Sequence, residues 1–454
     1  MAAVPPSNTP GEAPKGVLEK LLRPLAEVRR GEVAGVILLM LTVFMLLFSY
    51  YLLKTVREAL ILSEGGAEVK AYSSGGQAIL LMLVIPLYGF LGTKVVRIKL
   101  LLGMLGFFIV NLGLFYLAGV AGFKEGIAFY IWVGIFNMFV VSQVWALAND
   151  LYTEEQGKRL FPLIGIGASL GAWLGAQAAE RMVTVFSLGP YQIQLIAAAL
   201  LGVCGAMMVA AARSATRNAE PRMKDHSEAK LGPQDGFALV FRNRYLLLIA
   251  GLVVLLNTVN TTGEFLLGSL VEREADARFA TDTAAQAQFI GAFYGNFFAV
   301  VNLLGFLLQA LLVSRIFKYL GVGKALFVLP CISLFSYGAM AFLPMLGLVR
   351  VAKTLENATD YSLQNTLRQA LFLPTSREAK YKAKAAIDAF FVRLGDVIQS
   401  GVVWLGTAAG LAFTGFAWVN VCFTLIWFAA AAALAREHRQ LRPEAVAEET
   451  LVRP

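Results

Sequence analysis

Twelve runs of apolar residues, each about as long as a bilayer is thick, follow one another along this chain with short polar breaks between them. They lie near residues 34–60, 74–93, 98–120, 126–150, 160–182, 191–212, 245–270, 286–314, 322–344, 346–372, 385–412 and 414–435. A helix rises about 1.5 Å per residue and the hydrocarbon layer is about 30 Å thick, so a crossing needs about 20 apolar residues. Only helices and closed barrels satisfy their backbone groups in lipid. The pattern therefore predicts an all-α membrane protein of about twelve transmembrane helices. The 454 residues are 58% hydrophobic and 15% charged, with mean hydropathy +0.66. Soluble domains are nearer a quarter charged, and a soluble fold has nowhere to hide this much apolar surface.

Residues 1–14 are a Pro, Ser, Gly and Ala tail with no apolar core, which does not read as a signal peptide. In GVLEKLLRPLAEVRR (16–30), Val17, Leu18, Leu21, Leu22, Leu25 and Val28 share one helical face opposite Lys and Arg, so a helix lying on the membrane surface is expected. Glu12, Glu19, Glu27 and Glu32 argue against a transit peptide. Cys204, Cys331 and Cys422 fall in separate apolar runs and read as packing residues, while His226 and His438 are placed in loops.

The formal charge of +9 is distributed by topology and is not a nucleic-acid footprint. With twelve crossings and the N-terminus inside, Lys and Arg crowd one set of connections. Among them are Arg29, Arg30, Lys94, Arg97, Lys99, Lys158, Arg159, Arg242, Arg244, Arg315, Lys318, Lys380, Arg436 and Arg439. The other set holds only Lys70, Lys124, Arg273 and Arg278. That is the positive-inside bias, and a bacterial inner membrane with both termini cytoplasmic is the location it predicts.

The one long polar interruption, RSATRNAEPRMKDHSEAKLGPQDG (213–236), separates six runs from six. The expected organisation is a leader (1–33), a six-helix bundle (34–212), a linker (213–244), a second six-helix bundle (245–435) and a tail (436–454). The halves echo one another: TEEQGKR before the fifth run answers PTSREAKYKAK before the eleventh. Six-plus-six repeats are a secondary-transporter architecture with its site between the halves near the bilayer midplane. In the fifth run Gly167, Gly171 and Gly175 stand four apart, which lets helix backbones approach closely.

The informative residues are charges inside apolar runs, each costing roughly 2.5–3.5 kcal/mol at a helix centre unless it faces a cavity or a partner. In the first run Lys54, Arg57 and Glu58 crowd one side of the helix. The alternative is an interfacial cluster whose long side chains snorkel. The seventh run sets Asn257, Asn260 or Thr261, and Glu264 on one face. In the tenth, Lys353, Glu356, Asn357, Asp360, Gln364 and Arg368 form a stripe about five turns long, read as the wall of a wet cavity. The eleventh adds Asp388, Arg393, Asp396 and Gln399, and the fourth adds Asn137, Gln143, Asn149 and Asp150. Cations in such a lining suit a phosphate-bearing or other anionic solute, since Arg grips phosphate bidentately and Lys acts as a point charge. No phosphate loop, HExxH, GxSxG or Cys/His metal spacing occurs; GVGKA (321–325) lacks both the spacing and the Ser or Thr. An enzyme is not expected, nor a cofactor or metal, and transport would run on a solute gradient.

Two stretches carry a family resemblance. DYSLQNTLRQALFLPTSREAKYKAKAAID (360–388) resembles a Tyr-Ser-Leu segment followed by a proline and a Lys-rich KxKxKAAID run, and LANDLYTEEQGKRLFPLIGIGAS (147–169) is similar to a FAN…EAKRxYPLxGxGA segment. Both belong to the bacterial and plastid ATP/ADP antiporter (nucleotide transporter) family. The resemblance implies a major-facilitator-like fold and exchange of nucleotides. It equates the family's first-span lysine with Lys54, its seventh-span acid with Glu264, and the lysines before its eleventh span with Lys382 and Lys384. There are departures. The family's fourth-span acid falls near Val133, its basic residue before Tyr-Ser-Leu is Asp360, and its later Asp and Glu are Asn365 and Gln369.

The expected activity is thus secondary transport of nucleotide or related organic anions by a monomer. Lys54, Arg57, Lys353 and Arg368 would contact the anion, with Lys382 and Lys384 at the mouth. Glu264, Asp360 and Asp388 would balance charge or gate, together with Glu58, Asp150, Glu356, Arg393 and Asp396. The rivals are a proton-coupled carrier of another solute, titrating at Glu264, Asp360 or Asp388, and a membrane scaffold or sensor without transport.

Overall fold

In a computed structural model, the backbone is described for residues 32–92, 97–152, 154–217, 236–280, 282–376 and 378–451. All of the regular structure among these residues is helical. The first half comprises α1 (Val33–Glu64), α2 (Gly66–Gly92), α3 (Arg97–Val120), α4, α5 (Glu154–Thr184) and α6 (Pro190–Arg217). The α4 column runs Gly126–Phe136, passes through a π turn at Asn137–Val141 and continues as Ser142–Leu151. A short helix, α7 (Gly236–Arg242), precedes the second half.

That half begins with α8 (Arg244–Phe279) and α9 (Thr283–Leu308, a π turn at Gln309–Val313, then Ser314–Ala325). It continues with α10 (Val328–Phe342) and α11 (Leu346–Thr359, a π turn at Asp360–Gln364, then Asn365–Leu371). Last come α12 (π turns at Ala379–Ala383 and Ile387–Phe391 flanking Lys384–Ala386, then Val392–Ala408) and α13 (Phe413–Leu451). The surface helix expected at 16–30 and most of the polar segment 213–236 lie outside the described residues.

Caps and turns fix where the helices begin. Asn243 Oδ1 accepts from Leu246 N at 3.2 Å ahead of α8, and Asp282 Oδ1 accepts from Ala285 N at 3.0 Å ahead of α9. Pro190 occupies the first position of α6, where its missing N–H costs nothing. Between α1 and α2 only Gly65 intervenes, because Gly66 takes φ +79°, a conformation in which other residues are strained. Consequently α2 starts eight residues before the apolar run predicted at 74, and it carries Lys70 within the helix and not in an outer connection.

Seven helical stretches among the described residues are long and apolar enough to cross a membrane, and Gly126–Val140 and Val328–Phe342 are shorter apolar helices. Falling outside both classes are α2, α11 and α12, which carry many of the polar side chains of the centre. Phe107, Leu117, Phe335 and Trp404 point outward as lipid-facing surface requires.

In the first half α1 packs on α5 and α6, α3 on α6, and α2 on α4. In the second, α8 packs on α12 and α13, and α10 on α11 and α13. The α1–α5 contact is backbone to backbone. A Cβ on Gly167, Gly171 or Gly175 would collide with the carbonyl oxygens of Met40, Phe44 and Phe48 in turn. The halves meet where α5 packs on α9, α2 on α12 and α8, and α1 on α9. The bundle thus has a far end, where α1 turns into α2 and α8 into α9, and a linker end, where α6 finishes and α8 starts.

His438 corrects one expectation. It lies within α13 and not in a loop, buried, with Nδ1 2.7 Å from Tyr245 Oη, which donates at 2.8 Å to Leu371 O. The last helix simply runs on beyond the apolar segment, bringing its polar end against α8 and α11.

Candidate functional site

A cavity of about 270 Å³ lies at the centre, lined from both halves. From α1 come Tyr50, Lys54, Arg57 and Glu58, and from α2 come Ala67, Lys70, Ala71, Ser74 and Gln77. These intervals of three and four keep the polar side chains on one stripe of each helix. Tyr130, Gly134 and Asn137 contribute from α4, and Asn260, Thr261, Glu264 and Phe265 from α8. Phe298 comes from α9, Tyr361 from α11, and Arg393, Asp396 and Gln399 from α12. Asn137 and Tyr361 both sit on π turns, irregularities common at functional sites.

Most of these charges are partnered within their own half. Glu58, 1% exposed, receives Arg57 at Oε1 and Lys70 at Oε2, the latter at 2.6 Å. The Arg57 guanidinium also stacks 4.5 Å from the Tyr130 ring centre. Arg393 reaches Asp396 at 3.2 Å, and Asp396 accepts from Asn257 Nδ2 at 2.7 Å. Across the halves Arg393 approaches Met138 Sδ at 4.0 Å.

Behind the α8 wall lies a buried network. Lys353 is fully buried and donates to Glu356 Oε2 at 2.9 Å and to Asn260 O at 3.1 Å. Glu356 also accepts from Tyr337 Oη at 2.6 Å. Glu264 lies at the edge of this network, 3.7 Å from Lys353 Nζ, and accepts from Asn357 Nδ2 at 2.9 Å. Lys54 differs from the other cations. Its ammonium sits 4.1 Å from the Phe298 ring centre, 5.3 Å from Tyr51 and 5.9 Å from Tyr361. No carboxylate among the described residues lies within ion-pair distance of it.

Toward the linker end, Asp388 gathers Lys384 at 2.7 Å and Arg368 at 3.7 Å. Lys382 and Lys380 stand on the adjoining π turn. At the far end a second cavity of about 550 Å³ is lined by Gly66, Glu68, Glu272, Arg273 and Asp276, with Thr407 and Phe416 opposite. Ala67 and Phe265 line both cavities, so the partition between them is one layer of side chains thick. It is fastened by Glu272 Oε2, which accepts from Ala67 N at 2.8 Å, an α8 carboxylate capping the first turn of α2. Gly66 is needed there for space as well as for φ, since a Cβ would strike Glu272 Oε1.

Lys54, Arg57, Glu58, Glu264, Arg393 and Asp396 thus come together around one space, and the snorkelling alternative for the first three does not describe them. Lys353 and Glu356 lie behind the wall. Asp360, on the π turn of α11, and the cluster of Arg368, Lys384 and Asp388 lie apart from the cavity lining. The side chains of Asp150, Asn149 and Gln143 lie outside the described residues. The residues missed from sequence are Lys70, Gln77, Tyr50, Tyr130, Phe298 and Tyr361. Of these, Lys70 and Gln77 had a visible signal, since they continue the three-to-four spacing of one stripe with Ser73, Ser74 and Gly66 nearby.

Comparison with known proteins agrees with this architecture. The profile of the TLC ATP/ADP transporter family matches residues 13–119 and 126–438. ADP,ATP carrier protein 1 of Chlamydia trachomatis serovar D is 23% identical over 93% of this chain and 92% of its own. The protein of the same name from Chlamydia pneumoniae is 25% identical over 68% of this chain and 66% of its own. Among solved structures, a bacterial homologue of the iron transporter ferroportin in an inward-facing state superposes with a TM-score of 0.62 at 15% identity, covering 88% of this chain and 98% of that one; this is a likeness of fold. Twelve helical columns in two sixes among the described residues, a charged cavity between them and a match along nearly the whole sequence place this chain in the TLC ATP/ADP transporter family, as a membrane-spanning secondary carrier of major-facilitator-like fold.

Proposed function

We propose that this chain carries a nucleotide or a closely related phosphorylated anion across the bacterial inner membrane by alternating access, as a monomer with both termini and the linker on the cytoplasmic side. One observation carries the reading: Lys54, Arg57, Lys70 and Arg393 face a single cavity built from both halves. A non-transporting scaffold has no use for four desolvated cations at the centre of a membrane protein. The curated relatives are named as ADP,ATP carriers, which supports a nucleotide over other anions. Lys54 and Arg57 bind the anion, and Lys70 and Arg393 complete the positive wall. Glu264 and Asp396 balance charge, while Lys353 and Glu356 hold Glu264 in place from behind. Arg368, Lys382 and Lys384 draw anions to the linker-end mouth, with Asp388 tempering them. Asp360 supports the π turn that presents Tyr361.

The Glu272–Ala67 contact fastens the layer between the central cavity and the far end, so the solute would exchange with the cytoplasm. The test is uptake of labelled adenine nucleotides into proteoliposomes, with and without unlabelled nucleotide inside. Uptake that disappears in Lys54→Gln is expected. Failure to move any nucleotide under either condition refutes the reading.

A further inference from the structure

The cations of the central cavity answer the charged part of a solute and leave its uncharged part without a partner. Two glutamines on the same lining are placed for that part. Gln77 enters from α2 in the first half and Gln399 from α12 in the second. They are 8% and 1% exposed, and Oε1 of each is buried with no hydrogen-bond donor among the described residues. The neighbouring charges do not supply one: Arg57 and Lys70 are held by Glu58, and Arg393 and the Asn257 amide by Asp396. Nor are these side chains left over from loose packing. Gly134 on α4 clears room for the first, since a Cβ there would overlap the Gln77 carboxamide. One residue on from the second, Ser400 meets Gly75 so closely that a Cβ on Gly75 would collide with it. A buried carbonyl oxygen without a donor is destabilising and uncommon in native proteins, and apolar residues would fill both places at less cost.

Resting on the function proposed above, we infer that Gln77 and Gln399 select the solute by its uncharged end, each Oε1 accepting one hydrogen from a paired N–H or O–H donor. The last torsion of a glutamine is broad, so each carboxamide turns toward the cavity at little cost. In a nucleotide two groups offer such a pair of hydrogens, the vicinal hydroxyls of the ribose and an exocyclic amino group of the base. Recognition of this kind discriminates sharply, because a solute lacking the donor leaves the acceptor buried and unmet. It is indifferent to how many phosphates the other end carries. Since one acceptor belongs to each half, the uncharged end of the solute also bridges α2 and α12, which pack on one another.

The test uses the full-length chain in nanodiscs, with competition against labelled ADP by ADP itself, 2′-deoxy-ADP, 3′-deoxy-ADP and the analogue whose adenine amino group is replaced by hydrogen. Loss of the recognised donor is expected to weaken binding about tenfold, a difference of about 1.4 kcal/mol; the deoxy compounds report the ribose and the deaminated one the base. Gln399→Met keeps the length of the side chain without its acceptor. It is expected to weaken ADP about tenfold while leaving the affected analogue unchanged, a coupling that a double-mutant cycle reads directly. Gln77→Met gives a second readout should the first variant not fold. If every analogue competes as well as ADP, or if the variants fold and bind ADP as the wild type does, this inference falls and the proposed function stands. Equal losses of ADP and of every analogue in a variant would mark a structural role alone and overturn it too. If labelled ADP does not bind the wild type, both fall.

Discussion

Replacing Glu58 by Gln removes the anion on which Arg57 and Lys70 converge while keeping the side chain's shape. Glu58 is 1% exposed, Lys70 7% and Arg57 12%, so neither cation has much water to turn to. At an effective dielectric of about 20, unit charges about 4 Å apart attract by about 4 kcal/mol, and here two such attractions vanish together. Part of that returns because the carboxylate no longer has to be desolvated, and measured losses from breaking one buried pair are about 3–5 kcal/mol. With two cations stranded, the upper part of that range is expected.

The substitution also changes the cavity, which gains one net positive charge. A Glu58→Gln protein should therefore melt well below the wild type in detergent, and it should recover most of the loss when a phosphate-bearing ligand is added. Adding Lys70→Met should restore part of the stability, and the double-mutant cycle gives the coupling directly. A Glu58→Gln protein that melts with the wild type, with or without that ligand, would show that these ion pairs do not govern the site.

Three further outcomes follow from other parts of the fold. Gly171→Leu would drive a side chain into the Phe44 carbonyl. It should cost at least the 1–3 kcal/mol usual for overpacking, so wild-type melting would contradict the α1–α5 contact. Glu272→Ala removes the charged acceptor of the Ala67 N–H, an interaction worth about 1.5–3 kcal/mol. A cysteine at Ser74, which lines the central cavity behind that partition, should then react about tenfold faster or more with an impermeant maleimide added from the far side, and an unchanged rate argues against a latch. In the connection before α4, burial pushes the Glu125 carboxyl up to about 7, with nearby Glu64 adding to the rise and the Gln194 hydrogen bond opposing it. The native state then holds a proton that the unfolded chain has released, so stability falls as pH rises from the ordinary carboxylate range to about 7 and is flat above. Glu125→Gln should abolish that slope and raise the melting temperature at pH 8; equal slopes in the two proteins would refute the assignment.

The helices were legible because hydropathy and length dictate a crossing with little help from tertiary context. The face carrying Lys54, Arg57 and Glu58 was legible for the same local reason, since residues three and four apart share a side. Partners were not. Lys70 reads as part of an outer connection because nothing in the sequence announces that Gly66 folds α1 onto α2 within one residue. Lys353 and Glu356 sit on the same stripe as Tyr361, and periodicity alone does not tell which of them faces the cavity and which faces Tyr337 and Ser333 across α10. The ring around Lys54 needs Phe298 from the opposite half, a contact set by how two bundles dock. Even the short link from Tyr51 Oη to Asn302 Oδ1, at 3.0 Å, joins positions 251 apart in the chain.

How the charges are distributed between the halves bears on how such a molecule moves. The ion pairs formed between described residues each stay within one half: Arg57 and Lys70 with Glu58 in the first, and Lys353 with Glu356, Arg393 with Asp396, and Lys384 with Asp388 in the second. Among the described residues, the following contacts cross between halves, and they are of a weaker kind. Glu272 accepts from a backbone N–H, Asn296 donates to Glu180 at 3.3 Å, Asn302 donates to Ala172 O at 3.3 Å, and Lys54 and Lys70 lie over Phe298 and Tyr294. Breaking a desolvated ion pair costs several kcal/mol, whereas a hydrogen bond exchanged for one to water costs about one. Among these contacts, rocking one half against the other leaves the ion pairs intact and spends hydrogen bonds and ring contacts. The same division keeps each half stiff around its charges, so an anion held by Lys54 from one side and by the α8 and α12 wall from the other feels the position of the two halves directly.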